Sequence, residues 1–334
     1  MSVSRFQHGI LATPVIGAGN GRFDGWWGKT YFVDYDHGGG SDGFTPSTAF
    51  KHLQHAINVA TTNDVIYVRN RDQDTTSTDG ETILPESTTN WTVAEAKTHL
   101  SIIGASNVSH VPHQASGYAV ILKGHATANT TAVLDWQGAF GLIENLGFHR
   151  GASTAGGLIA LTGNSTSLRA VGTVVSNCLF RLYSSTTHGA IYNVDNWFIT
   201  IYGSDFHDCL VGVHMYGNAS TVRRERISNC IFRNQTAASV CNNIYLAGSN
   251  GQDVTIDNCH FVGEVPTAIT GPSGVAGFIY AGSAIQGTVI NCTYASDSVE
   301  GTAAASITAN GLTQVACDQG KWTADSGRGG LVGV

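Results

Sequence analysis

The sequence predicts an all-β chain folded as a right-handed parallel β-helix of about eight coils, with a short α-helix capping its N-terminal end. Three observations predict it. A four-residue motif recurs, with Asn177-Cys178-Leu179-Phe180, Asn229-Cys230-Ile231-Phe232 and Asn258-Cys259-His260-Phe261 as near copies. Looser copies are Asn145-Leu146-Gly147-Phe148, Gly203-Ser204-Asp205-Phe206 and Asn291-Cys292-Thr293-Tyr294. The motif aromatics stand at 148, 180, 206, 232, 261 and 294. Steps of that size mark a solenoid whose insertions emerge as loops. A second series then follows the first copy by copy: Leu158-Ile159-Ala160-Leu161, Ala190-Ile191-Tyr192, His214-Met215-Tyr216, Asn243-Ile244-Tyr245 and Phe278-Ile279-Tyr280.

The β pleat assigns directions to these residues. Cys and the aromatic are two apart, so on a strand both point inward and the residue between them points out. The Asn falls where the chain must turn. It tolerates a left-handed backbone and can hydrogen-bond to its counterpart one coil away, which predicts a stack of Asn145, Asn177, Asn229, Asn258 and Asn291. Segments rich in Val, Ile, Thr, Tyr and Phe, broken by Gly and Asn, lack the 3.6-residue period of a helical solenoid.

Residues 1–27 carry no repeat and read as an arm. Its apolar residues Phe6, Ile10, Phe23, Trp26 and Trp27 are candidates for docking on another protein, where aromatic anchors supply much of the binding energy; a strand folded back over the first coil is the alternative. Residues 28–63 form the cap: a strand at Thr30–Asp34, a turn-rich stretch over 37–43, and a helix over 50–60. Phe50, Leu53, Ile57 and Ala60 share one face of that helix, with Ser47 or Thr48 as N-cap. The β-helix occupies 64–296, and 297–334 is a Gly/Ala-rich extension. The acidic excursion over 70–98 and the group Asp34, Asp36 and Asp42 do not reproduce a calcium loop, so neither metal nor cofactor is expected.

Val33-Asp34, Gly40-Ser41-Asp42, the helix over 50–60 and Asp64-Val65-Ile66-Tyr67-Val68 together resemble the opening of the pectate-lyase-like superfamily of right-handed β-helices. Leu100–Gly104 and Leu142–Phe148 resemble its coils, and the likeness covers about residues 30–295. That superfamily includes lyases, hydrolases, epimerases and non-catalytic viral proteins, so the resemblance implies a fold and leaves function open. In its enzymes it implies paired Asp residues with Gly-His-Gly, or clustered Asp with a basic residue, and this sequence has neither. The nearest approach is Asp205-Phe206-His207-Asp208, with Arg181 and Asp257 expected one and two coils away. Asp205 and His207 flank an inward Phe206 and share the outer face, where a carboxylate and an imidazole could do acid–base work. Asp205, His207 and Asp208 are therefore the catalytic candidates in a chain expected not to be an enzyme.

Composition narrows the partners. Of 334 residues 12% are charged, with a net charge of -7. The local basic cluster, Arg223-Arg224 and Arg226 around Glu225, reads as a solvated turn, so nucleic acid is not an expected partner. No apolar run is long enough to span a membrane. Met1–Phe6 lacks the regions of a secretory signal, so synthesis in the cytosol is expected. Four of the seven cysteines, Cys178, Cys230, Cys259 and Cys292, share the motif position. They read as reduced core thiols, with a disulfide between neighbouring coils as the alternative. Finally, Ser4-Arg5-Phe6-x-His8-Gly9-Ile10 is similar to the first residues of β-helix proteins encoded among head genes of tailed bacteriophages. That resemblance implies a virion structural protein made in the bacterial host cytoplasm, a capsid decoration or cement protein. It would sit on the major capsid protein as a homotrimer, attached through residues 1–27. The alternative is a tailspike or carbohydrate-active enzyme, a polysaccharide lyase or hydrolase, on host surface polysaccharide.

Overall fold

The computed structural model describes residues 28–36, 42–69, 82–83, 90–105, 120–124, 132–150, 156–162, 170–181, 188–217, 222–234, 242–248, 251–263, 278–281, 285–296, 307–309 and 312–321. The arm residues Phe6, Ile10, Phe23, Trp26 and Trp27, the acidic residues from Asp72 to Glu86, Cys241 and the Gly-rich end from 327 lie outside these.

The chain visits three parallel sheets in rotation. Sheet I holds Thr30–Val33, Val65–Val68, Ser101–Gly104, Leu142–Glu144, Val174–Ser176, Thr200–Tyr202, Val222–Arg223, Arg226–Ser228, Gly251–Asp257, Ile285–Ile290 and Leu312–Val315. Sheet II holds Thr82–Ile83, Val120–Lys123, Leu146–His149, Leu179–Arg181, Asp205–His207, Ile231–Asn234, His260–Gly263, Thr293–Ser296 and Asp318–Lys321. Sheet III holds Trp91–Val93, Leu134–Trp136, Ile159–Thr162, Ile191–Val194, Val213–Gly217, Ile244–Gly248, Ile279–Ala281 and Ile307–Ala309. This is a right-handed parallel β-helix. The sheets continue to Lys321, past the expected boundary at 296, because Ala316-Cys317-Asp318-Gln319 is a further copy of the motif with Gln in the aromatic place.

Like residues stack inside. Sheet I contributes the register column Ile66, Ile102, Ile143, Val175, Ile201, Ile227, Ile256 and Val289. Sheet II contributes Phe148, Phe180, Phe206, Phe232, Phe261 and Tyr294, whose rings lie 4.6–5.4 Å apart and within 12° of parallel. Stacked rings of this kind add about 0.5–1.5 kcal/mol per pair beyond the area they bury.

The corner between sheets I and II is the Asn position. Asn145, Asn177, Asn229, Asn258 and Asn291 all have φ between 50° and 55°. Each N–H donates to the residue preceding the next corner, as Asn229 does to Asp257 O at 3.0 Å. Asn258 Nδ2 also donates to Asn229 Oδ1 at 2.6 Å, a rung of the expected side-chain stack. Gly203 stands at the one interruption for a physical reason: with φ 59°, a Cβ there would lie 2.5 Å from Asn177 Oδ1.

The cap differs in detail from the expectation. The helix is Leu53–Val59, and Phe50 is extended, bridging Val33. The N-cap hydroxyl belongs to Thr45, which closes a 3-10 turn over Pro46–Thr48, rather than to Ser47 or Thr48 acting for the helix. Leu53, Ala56, Ile57 and Ala60 still cover the open end of the core. Gln54 satisfies the exposed edge of sheet III, donating to Thr92 O and accepting from Thr92 N. Of the acidic group, Asp34 receives Arg69 Nη1 at 2.8 Å and Asp42 receives Phe44 N at 3.1 Å.

Two register details also depart from the sequence reading. On sheet III His214, not Tyr216, pairs with Tyr192 and Tyr245, because Tyr216 lies one pleat further along opposite Val194 and Ala247. Glu225 is not in a solvated turn: it is fully buried at the corner leading into sheet I, while Arg224 beside it is exposed. Glu225 Oε2 accepts Ile199 N at 2.9 Å, and Oε1 has no partner among the described residues. Burial pushes its carboxyl well above the usual range.

A carboxyl whose folded pKa is raised contributes stability below its unfolded pKa and loses it as pH rises toward the folded value. Glu225→Gln should therefore be more stable than the natural chain at about pH 8, with the gain shrinking toward about pH 4. Urea unfolding across that range checks it; a pH-independent difference would place the carboxylate in contact with solvent.

Candidate functional site

The pleat that turns Leu122 and the motif aromatics stacked on it inward turns the following residue outward. In sheet II those following residues are Lys123, His149, Arg181, His207 and Arg233, and the register pairs each with the next. Five successive rungs therefore carry a basic side chain on one outer column. With rungs about 4.8 Å apart, the column is about 19 Å long. It stops at Val262. All five side chains are half-buried.

Two carboxylates are set into this column. Asp205 occupies the adjacent outer column on the rung of His207, and its Oδ2 lies 3.8 Å from Arg233 Nη2. Asp208 closes the next corner with φ 52°, donates its N–H to Arg233 O at 2.8 Å, and places Oδ2 3.2 Å from His207 Nδ1. Behind it the Cys209 thiol reaches the carbonyls of Phe180 and His207, so Asp208-Cys209 repeats the Asn-Cys corner at the far edge of sheet II.

At the other end His149 Nδ1 donates to Arg150 O at 2.8 Å, which leaves Nε2 as the acceptor of the neutral ring. Burial is the largest influence lowering its pKa, and Lys123, Arg181 and Arg150 lower it further. The column thus presents three permanent cations, two imidazoles and two carboxylates.

Asp205 and His207 lie together on the outer face as expected, with Asp208 beside them and Arg181 on the adjoining rung. Asp257 does not join them. It ends a strand of sheet I, paired with Ser228, and its carboxylate meets Arg226 at 3.5 Å. Lys123, His149 and Arg233 join Asp205 and His207 although they are dispersed in sequence, and their signal there is the position after each inward residue. Arg224 and Arg226, the basic cluster that is local in sequence, are exposed and pair with Asp253 and Asp257.

Guanidinium and imidazole donors suit anionic oxygens, and carboxylates suit hydroxyl donors. Asp205 faces the Arg233 guanidinium and Asp208 the His207 imidazole, whereas acid–base cleavage of a glycosidic bond uses two carboxyls open to opposite sides of that bond. Among the described residues, no group of three or more His, Cys, Asp or Glu is placed to hold a metal ion.

No family model and no curated protein matches this chain. Among solved structures it is similar to a rhamnogalacturonan lyase, at TM-score 0.39 and 14% identity over 90% of this chain and 64% of that one. It is also similar to the pectin methylesterase from carrot, at 0.36 and 13% over 86% and 88%. A third likeness is to the pectin methylesterase from Aspergillus niger, at 0.34 and 12% over 90% of both chains. The chain thus spans less than two thirds of the lyase.

A cation beside an imidazole disfavours its protonation. Lys123→Met should therefore raise the His149 midpoint part of the way toward an ordinary histidine, read from its ring proton shifts in an NMR titration. An unchanged midpoint would mean that Lys123 does not face it.

Proposed function

We propose that this chain is a surface-recognition β-helix that binds an acidic glycan lengthwise along the outer column of sheet II, without cleaving it. The observation that carries this reading is the unbroken run Lys123, His149, Arg181, His207 and Arg233. Its spacing suits a polymer with a negative group at intervals, and Asp205 and Asp208 add acceptors for sugar hydroxyls. Nucleic acid fits less well. Single strands are held by stacking on aromatic side chains, and sheet II keeps its aromatics inside. A net charge of -7 further opposes a dense polyanion.

Titration with an acidic polysaccharide, a neutral one and single-stranded DNA tests the reading. Binding should be confined to the acidic polysaccharide, weaken with salt, and fall by about tenfold or more in Arg181→Ala or Arg233→Ala. No new reducing ends or unsaturated uronates should form. Cleavage that disappears in Asp205→Asn or Asp208→Asn would make the chain a depolymerase instead.

The opening residues favour a second, compatible reading. Ser4-Arg5-Phe6 and His8-Gly9-Ile10 resemble phage head-gene β-helices, and the segment up to 27 carries Phe6, Ile10, Phe23, Trp26 and Trp27. On this reading the chain is a capsid decoration protein, a homotrimer attached to the major capsid protein through the arm, and glycan binding is what it offers on the particle. The full chain should scatter light as a trimer and co-sediment with shells lacking it, while a chain beginning at Lys29 should not co-sediment. Full occupancy by the shortened chain would remove the arm from attachment.

A further inference from the structure

The inward cysteines of sheet II's leading corner form a column of thiols. Ile231, His260, Thr293 and Asp318, each directly after a cysteine, are register partners on four successive coils. Cys230, Cys259, Cys292 and Cys317 therefore stand one above another, and all four are free. The first three are fully buried, whereas Cys317 at the C-terminal end is partly exposed. Cys292 Sγ lies 3.3 Å from Ile290 O, and Cys317 Sγ lies 3.5 Å from Val315 O, the equivalent atom one coil on. The two sulfurs thus occupy the same corner one rung apart. A rung of about 4.8 Å falls within the Cα separations that a disulfide spans.

The helix Leu53–Val59 covers the first coil and Gln54 satisfies its edge, but among the described residues nothing equivalent covers the last coil. The strands Leu312–Val315 and Asp318–Lys321 are the outer members of their sheets. A strand at the end of a sheet is paired on one side, so a covalent link to the strand before it adds most there.

We propose that Cys317 is an oxidation site and that it forms a disulfide with Cys292, clipping the last coil to the body of the β-helix. The oxidant is a peroxide. The Cys317 sulfur attacks one peroxide oxygen, the O–O bond breaks, and a sulfenic acid forms with release of water. The Cys292 sulfur then attacks the sulfenic sulfur. The S–S bond forms, the S–O bond breaks, and a second water leaves with the Cys292 proton; two thiols are oxidised and one hydrogen peroxide is reduced. Exposure assigns the first step to Cys317. Cys292 is the resolving partner because it is the buried thiol at the same corner one rung from Cys317. The pairs Cys230–Cys259 and Cys259–Cys292 have the same rung spacing but no route to solvent. The clip would stay open in a reducing cytosol and close in an oxidising medium.

The natural full-length chain is treated with hydrogen peroxide under folding conditions, its remaining thiols are alkylated, and its peptides are mapped. One intramolecular Cys292–Cys317 link is expected, with a melting midpoint that rises by several degrees and returns on reduction. Cys317→Ser should abolish both, and Cys259→Ser should retain both. Four outcomes would overturn the proposal: a natural chain that stays folded and fully reduced, a Cys317 that proceeds to sulfinic acid unpaired, a link at Cys230–Cys259 or Cys259–Cys292, or a link between two chains.

Discussion

Register at the corner between sheets I and II is the constraint on which the structure rests. One residue per coil turns the chain there in the left-handed conformation, and its N–H donates to the carbonyl that ends the next coil's sheet I strand. The cysteine after it sends its thiol toward two carbonyls, one in its own coil and one in the coil before, as Cys230 does to Ser228 and Ile201. The corner therefore satisfies backbone groups that so sharp a turn would otherwise strand beside the core. A slip of one residue would break these bonds and drive every inward Phe to the surface.

The outer faces inherit that register without being selected for it locally. Once Phe148, Phe180, Phe206 and Phe232 are stacked, whatever follows each of them must stack too, on the opposite side of the sheet. A β-helix can thus build an extended binding surface from residues a coil apart in sequence, one choice per coil. The basic column of sheet II is assembled in this way. Like charges one rung apart repel, and Asp205 and Asp208, with a His149 whose pKa burial lowers, temper that repulsion. Sheet III shows the same logic with aromatic groups, in the outer series Tyr192, His214, Tyr245 and Tyr280.

The repeated Asn-Cys-x-aromatic motif made the fold and the inward set of sheet II legible, because an inward stack needs the same kind of residue in every coil. The seventh copy is the least legible, because Ala316 and Gln319 replace Asn and the aromatic in it. Tyr216 was misplaced by a pleat because an aromatic at either of two outer positions leaves the same trace in sequence. The extent of the helix was overestimated at Phe50, whose apolar side chain serves the cap equally well from an extended bridge. Arg224 and Arg226 are adjacent in the chain and face solvent with their own partners, whereas Lys123 to Arg233 are dispersed in the chain and adjacent in space. Glu225 looked like part of a polar turn because nothing local reveals that its rung neighbours on either side are the buried Ile199 and Val254.

The central claim is that corner register sets everything else, and amide hydrogen exchange read residue by residue tests it most directly. The account predicts that the N–H groups of Asn145, Asn177, Gly203, Asn229 and Asn258 exchange slowly and together, at the rate of global unfolding, although they sit in turns that are partly open to water. Exchange at loop-like rates in these five, with the flanking strands still protected, would show that the corners follow the strands rather than set them.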